Sequence, residues 1–454
     1  MSGDRRTMSD HDDSRPSPGA PPVVLQIERV IAGGDGIARQ SDGRVVFVPR
    51  AAPGERVEVE YTEEHRQWLR ARILRVVEPS PHRREPPCPY YDECGGCQLQ
   101  HLVYDAQLAI KASIVADSLR RLGRFEIDTP EIVPSPLEFG YRNRITLVLR
   151  RRGDEIAVGY HAFDDPSRLV AVDRCPLAEQ PINDVWLALP ALLNRIGEGA
   201  PPGTEWRLTF RANSEGRVGI AIEGASRPAD IERSVLESLI EKGLVAVWMV
   251  NDKGWIIAHA GAETLDEQWE SHAIPLAGTA FVQVNRSAAA RLDAYVLEQC
   301  RVTPGARIVD AYCGFGLRTF ELARSGANVV GIDSYRHAIR AASEIGAALG
   351  LSVRFIADLV ERILAQELPA DTVILNPPRG GVASEVVAAL LRRPPNRIVY
   401  VSCDPATLAR DLKNLAGGFA LDTVKAYDLF PQTAHVETVA TLTHRPVESA
   451  NSGV

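Results

Sequence analysis

Between Val23 and His82 the chain alternates apolar and polar residues in short runs, among them VVLQIERV, RVVFVP, RVEVEY and WLRARILRVV, broken by turns at Gly33, Gly34 and Gly36 and at Ser41-Asp42-Gly43. A period of two marks half-buried strands, and about five of them fit this span. From 83 to 280 the pattern is mixed: a helix near Ala106 to Leu122 stands out, and the β-branched runs around it do not reveal their order. Beyond 281 the alternation becomes regular: IVDAY, a helix around Thr319 to Ser325, NVVGID, a helix from Ala338, VRFIAD, TVILN, a helix after Val382, then RIVYVS. Strands alternating with helices predict a parallel sheet covered on both faces. The expected fold class is therefore α/β: a doubly wound, Rossmann-like domain over 281–446, an N-terminal OB-like β-barrel over 23–82 and a mixed α+β central domain over 83–280. Polar tails are expected at 1–22 and 447–454, the first rich in Pro, Ser and Asp and lacking the apolar segment of a secretory signal.

With 454 residues, 45% of them hydrophobic and 24% charged, the chain has the profile of a soluble multidomain protein without a membrane span, expected in the cytoplasm as a monomer. A net charge of -8 argues against a generic nucleic-acid coat, so local charge has to decide. The segment 141–152, YRNRITLVLRRR, holds five arginines and no acid, which makes Arg142 and Arg144 candidates for contacting phosphates. A solvated strand face would show the same pattern. On the barrel, Arg66, Trp68, Arg70 and Arg72 are expected to be exposed and to offer charge and one stacking surface to RNA. The seven cysteines are uneven: Cys88, Cys94 and Cys97 form C-x5-C-x2-C, and Cys175 follows in VDRCPL. In a reducing compartment four such thiols suit an iron-sulfur cluster or a tetrahedral zinc better than disulfides, and spacing alone leans to zinc.

The chemistry gathers where the strands of the α/β domain end. In VDAYCGFG a strand runs into a Gly-x-Gly turn and then a helix, so the backbone at Gly314 and Gly316 can approach a ligand closely. Asp333, 23 residues after Asp310, ends the next strand, where a carboxylate can accept ribose hydroxyls. A third glycine is missing, with Thr319 near its place, and an acid opens the turn; both features favour S-adenosylmethionine over a nicotinamide cofactor. Asp358, one strand further, is placed to meet the adenine edge. Asn376-Pro377-Pro378-Arg379 forms a rigid loop whose asparagine offers both a donor and an acceptor, matching the N3–H and O4 of uracil or equally an exocyclic amine. Tyr400-Val401-Ser402-Cys403-Asp404-Pro405 puts a thiol at the same edge.

These segments, together with GRVVFVPRAAPGERVEVE (which resembles a TRAM domain), CPYYDECGGCQLQHLVYDAQLAIK, YRNR, FVQVN and DLFPQTAHVET, resemble the RNA uracil-5-methyltransferase family, in particular its TRAM-containing, iron-sulfur branch acting on large-subunit ribosomal RNA. The resemblance implies that Cys403 adds to carbon 6 of uracil, which raises electron density at carbon 5, and that Glu437 then removes the carbon 5 proton. It implies a donor site of Gln283, Tyr312, Asp333 and Asp358, joined by Asn376, and a [4Fe-4S] cluster at Cys88, Cys94, Cys97 and Cys175. His435, two residues before Glu437, is expected on the same strand face. Ribosomal RNA is the expected partner, with transfer RNA as the nearest alternative; methylation of a base nitrogen, or RNA binding without catalysis, are readings of other classes. The chain departs from the family in carrying Asn376 where aspartate is usual, Asp404 where asparagine is usual, and Leu317 and Arg318 where a polar and a small apolar residue are common.

Overall fold

The computed structural model describes residues 21–270 and 272–445. The expected tails therefore fall almost wholly outside the described residues. The chain forms two compact units.

The smaller unit, built mainly from the residues up to Pro87, carries a six-stranded sheet in the order Val23–Gln26, Arg56–Glu64, Trp68–Glu78, Val45–Pro49, Asp35–Arg39, Arg29–Val30. It has one strand more than expected because VVLQIERV breaks into two short strands around Ile27 and Glu28. Alternate residues Val46 and Val48, Val57 and Val59, and Leu69 and Ala71 point into one apolar core, as period-two patterning requires.

The larger unit contains three sheets, the smallest a two-stranded antiparallel pair of Leu265–Trp269 with His272–Leu276. In the first, seven strands run in the order Leu169–Val170, Glu155–His161, Arg144–Arg152, Glu205–Ala212, Val218–Glu223, Leu244–Val250, Ile256–Gly261. All pairs are antiparallel except Val218–Glu223 with Leu244–Val250. Its apolar face packs Leu147, Trp206, Phe210 and Ile220 against helices Gln180–Leu187, Pro190–Glu198 and Arg233–Glu241. The mixed periodicity of 83–280 reflects this sheet, which is covered on one face by helices and on the other carries a polar stripe.

The second sheet has eight strands in the order Val353–Ala357, Asn328–Asp333, Arg307–Ala311, Thr372–Leu375, Arg397–Ser402, Glu437–His444, Phe419–Tyr427, Ile132–Val133. Glu437–His444 alone is reversed, pairing antiparallel with both neighbours. Beneath the sheet, Val115 and Leu119 pack with Leu375, Tyr400, Leu408 and Leu412. Lys111 is fully buried and donates to Asp428 at 2.6 Å and to the Phe430 carbonyl at 3.0 Å. Asn285 caps helix Arg286–Gln299 by accepting from the Ala288 amide at 3.2 Å, and its own amide donates to Ser135 and to the Leu429 carbonyl.

Candidate active site

Parallel register aligns the carboxyl ends of four strands. Ala311 pairs with Ile332 and Leu375, and Leu375 with Tyr400, so Tyr312, Asp333, Asn376 and Cys403 emerge along one edge. Asp358 follows Ala357, the partner of Asp333.

Around the Gly-x-Gly turn the backbone bends sharply. Tyr312, Gly314 and Gly316 all have positive φ (65°, 56° and 78°), and a tyrosine held there stores strain of about 1–3 kcal/mol. A Cβ on Gly316 would stand 2.7 Å from the Phe355 ring, whereas one on Gly314 would meet nothing within 4 Å, so Gly314 leaves open room against the backbone. The Asp333 carboxylate accepts from the Gly314 amide at 2.9 Å and the Tyr335 amide at 2.8 Å, tying the turn to the next helix while each oxygen keeps a lone pair for a ligand. Asp358 is half-buried and lies 3.7 Å from Arg362. The Gln283 and Asn376 side-chain amides, both half-buried, have no hydrogen-bond partner among the described residues. Thr319, in the place of the third glycine, donates to Asp310 at 2.7 Å.

The reversed strand brings Cys403 and Glu437, the expected nucleophile and base, together. Ser402 pairs with Thr438 in antiparallel register, so one step outward Cys403 faces Glu437. Glu437 is only 4% exposed. Burial pushes its carboxyl up to about 7, against the opposing pull of Arg318 and Arg379. Burial also raises the Cys403 thiol, and the facing Glu437 carboxylate adds to the rise while Arg379 counters it. His435 does not share this strand face, because the strand begins at Glu437; it lies in the preceding loop, 3.4 Å from Arg379. Burial and Arg379 lower its imidazole to about 4, so it is neutral at physiological pH.

The fold tolerates aspartate at 404, where the family usually has asparagine. The Asp404 carboxylate caps helix Pro405–Leu415 by accepting from Thr407 at 2.8 Å, a task asparagine and aspartate perform equally well. Arg318 was recognisable in the sequence only as a departure. It forms an ion pair with Asp293 at 3.0 Å, and its Nη1 has no partner among the described residues. Asp293 escaped the sequence reading because it sits inside an ordinary amphipathic helix, with nothing local to mark it.

The expected RNA-facing residues divide. Arg144 opens the first sheet's third strand, Arg142 lies two residues before it in an isolated bridge to Ala178, and Arg379 is exposed beside Cys403. On the smaller unit Trp68 is half-buried and stacked on His65 at 3.9 Å, Arg70 pairs with Asp35 at 3.0 Å and Arg72 with Glu60 at 2.7 Å; Arg66 alone of the four stays exposed without an ion pair among the described residues. Cross-strand pairing of long side chains accounts for this correction. Of the four clustered cysteines, Cys88, Cys94 and Cys175 belong to the larger unit and Cys97 to the smaller. Burial raises the Cys88 thiol and the Tyr160 hydroxyl, with Cys175 adding to both rises and Cys94 to that of Tyr160. Among the described residues no three His, Cys, Asp or Glu side chains are arranged to hold a metal ion.

A doubly wound sheet with one reversed strand, and a Gly-x-Gly turn tied to a carboxylate at its ligand-binding edge, defines an S-adenosylmethionine-dependent methyltransferase. The chain belongs to the RNA uracil-5-methyltransferase family: residues 332–445 match the tRNA (Uracil-5-)-methyltransferase model and residues 25–74 the TRAM domain model. It is 32% identical to the 23S rRNA (uracil(1939)-C(5))-methyltransferase RlmD of Shewanella amazonensis, the match covering 92% of this chain and 95% of that one. It is 35% identical to the protein of the same name from Pseudomonas entomophila, with 92% of each chain covered. Among solved structures it resembles the Pyrococcus abyssi tRNA (uracil-54, C5)-methyltransferase in complex with S-adenosyl-L-homocysteine, at 28% identity and a TM-score of 0.69, over 93% of this chain and 100% of that one. Among the described residues no helix is long and apolar enough to cross a membrane.

Proposed function

We propose that this enzyme methylates carbon 5 of one uridine in 23S ribosomal RNA, with Cys403 as nucleophile and Glu437 as base. The observation that carries the reading is the register that sets Cys403 opposite Glu437 at the edge holding the donor turn. Methylation of an amine needs no thiol there, and a non-catalytic RNA binder needs no buried carboxyl raised to about 7.

When bound, S-adenosylmethionine supplies the electrophilic methyl group. Asp333 accepts its ribose hydroxyls, Gly314 and Gly316 let the backbone close on it, and Gln283, Tyr312 and Asp358 line its site. Asn376 and Arg379 orient the uracil ring. The Cys403 thiolate forms a bond to carbon 6 as the carbon 5–carbon 6 π bond opens, and the electron pair placed on carbon 5 takes the methyl group, whose bonding pair stays with the sulfur of the departing S-adenosylhomocysteine. Glu437 then accepts the carbon 5 proton, and the returning electron pair breaks the carbon 6–sulfur bond and frees the thiolate. Arg142 and Arg144 hold RNA phosphates.

The rRNA assignment rests on relatives that share the full domain set and on their printed names; the Pyrococcus structure makes transfer RNA the second reading. Mass spectrometry of nucleosides from a deletion strain, with mapping of the missing mark, decides between them: loss of 5-methyluridine from 23S RNA is expected, and loss from tRNA overturns the substrate assignment.

The reading includes a [4Fe-4S] cluster on Cys88, Cys94, Cys97 and Cys175, supported by the all-thiolate donor set and by the mutual proximity of Cys88 with Cys175 and of Cys94 and Cys175 with Tyr160. Its role is structural, since none of the four cysteines lies at the donor edge. Anaerobically purified protein should be brown and carry iron and sulfide, with colour lost in Cys94→Ser; colourless protein with stoichiometric zinc overturns it. The reading places the enzyme in the cytoplasm as a monomer.

A further inference from the structure

The polar face of the first sheet sets beside Arg144 a second arginine, Arg211, that the methyl-transfer scheme leaves unused. Strands Arg144–Arg152 and Glu205–Ala212 are in antiparallel register with Arg144 directly opposite Arg211 and Thr146 opposite Thr209. Directly opposed residues point to the same face, and two like charges in that position repel. Arg211 is 2% exposed. Its Nη2 donates to the Ala280 carbonyl, and its Nη1 has no partner among the described residues. A buried guanidinium N–H without an acceptor is costly, and an anion reaching it would lower that cost more than a neutral acceptor because the bond is charge-assisted on both sides.

The nearby carboxylates do not meet this need. Glu179 and Glu267 are taken by Arg286, and Glu223 accepts from Thr209 at 2.8 Å. Among the described residues neither Arg144 nor Arg211 forms an ion pair. Burial, Arg144 and Arg286 together lower Arg211 to about 9, with Glu267 and Tyr335 pulling the other way, and burial likewise lowers Arg144. The Arg144 guanidinium lies 5.8 Å from the centre of the Phe281 ring, which is 62% exposed, so the pair has an open side. The segment that carries Ala280 and Phe281 continues to Gln283. The charges therefore border the proposed donor site.

We propose that Arg144 and Arg211 form a seat for a single RNA phosphodiester beside the target nucleotide. A phosphodiester has two non-bridging oxygens, one for each guanidinium fork, and reaches the pair from the Phe281 side. The seat rests on the reading of this chain as an RNA-modifying enzyme and adds Arg211, a buried residue, to its substrate contacts.

The test measures binding of the full-length protein to a short single-stranded oligouridylate by fluorescence anisotropy over a series of salt concentrations. Arg144→Gln and Arg211→Met should each weaken binding roughly tenfold at low salt and reduce the slope of log affinity against log salt by about 0.7, the value for one phosphate on a single strand. The double variant should lose no more slope than either single change, because both arginines hold the same phosphate. Additive slopes would mean two separate phosphates, and an unchanged slope would mean none; either overturns the seat. Reduced affinity for S-adenosylhomocysteine with an unchanged RNA slope would overturn it by assigning the anion to the donor's carboxylate. Circular dichroism checks folding, and the half-buried Arg144→Gln carries the slope measurement if Arg211→Met unfolds. Nucleoside mass spectrometry of the wild type tests the methylation reading separately, since the binding slope requires no turnover.

Discussion

Glu437 can take a proton only when it is ionised, and burial holds its carboxyl near 7, so the last step of the reaction should depend on pH within the physiological range. A carboxyl raised in this way is protonated below about pH 7. Release of methylated RNA should therefore speed up as pH rises through 7 and then level off. Arg318 and Arg379 favour the ionised form, and Asp293 opposes it. Arg318→Met removes the larger favourable charge, so the rising limb should move to higher pH; single-turnover release rates across pH check this. Glu437→Gln adds to uracil and methylates it but cannot finish, and should leave RNA attached to protein as a slow band on a denaturing gel. Cys403→Ala should show no such band and no methyl transfer; full methylation by that variant would defeat the covalent scheme. Asn376→Asp restores the residue usual in the family and should keep or raise turnover on uridine, whereas a collapse would mean a pocket tuned to another base.

Between elements, small residues let the donor turn close. Gly331, in strand Asn328–Asp333, would with a Cβ stand 2.7 Å from the Phe355 ring and 3.0 Å from the Cys313 sulfur. Gly331→Ala should cost about 1–3 kcal/mol of stability through overpacking and also weaken donor binding, seen as a lower melting temperature with less shift on adding S-adenosylhomocysteine. Asp333→Ala loses the ribose acceptor together with the bonds to Gly314 and Tyr335, and titration calorimetry should show donor affinity falling roughly tenfold to a hundredfold, about 1.5–3 kcal/mol. The motifs at Tyr312, Asn376 and Cys403 were legible in the sequence because each follows an apolar strand and precedes a turn. Pairings between distant segments were not. Arg318 meets Asp293 across two helices, and Arg211 meets Arg144 only once the register of the sheet is known. The topology of 83–280 stayed hidden for the same reason, since several strand orders satisfy one apolar pattern.

At the scale of the whole molecule, the -8 net charge hides the facing pair Arg144 and Arg211, which is why composition alone could not identify an RNA enzyme. Stability of the larger unit leans on a buried charge pair, Lys111 with Asp428. Burial lowers the Lys111 ammonium, and only the aspartate and the Phe430 carbonyl compensate it. Lys111→Met removes the cation of this buried pair and should lower stability in chemical denaturation, while the double change to apolar residues should recover part of the loss. The reversed strand Glu437–His444 has a bearing on how the enzyme is made. It inserts between two strands synthesised before it, so until it is made the sheet has a gap at the place of Glu437. A chain truncated there lacks the middle of its own sheet as well as Glu437, and cannot become a folded enzyme that attacks uridines and never lets go of them.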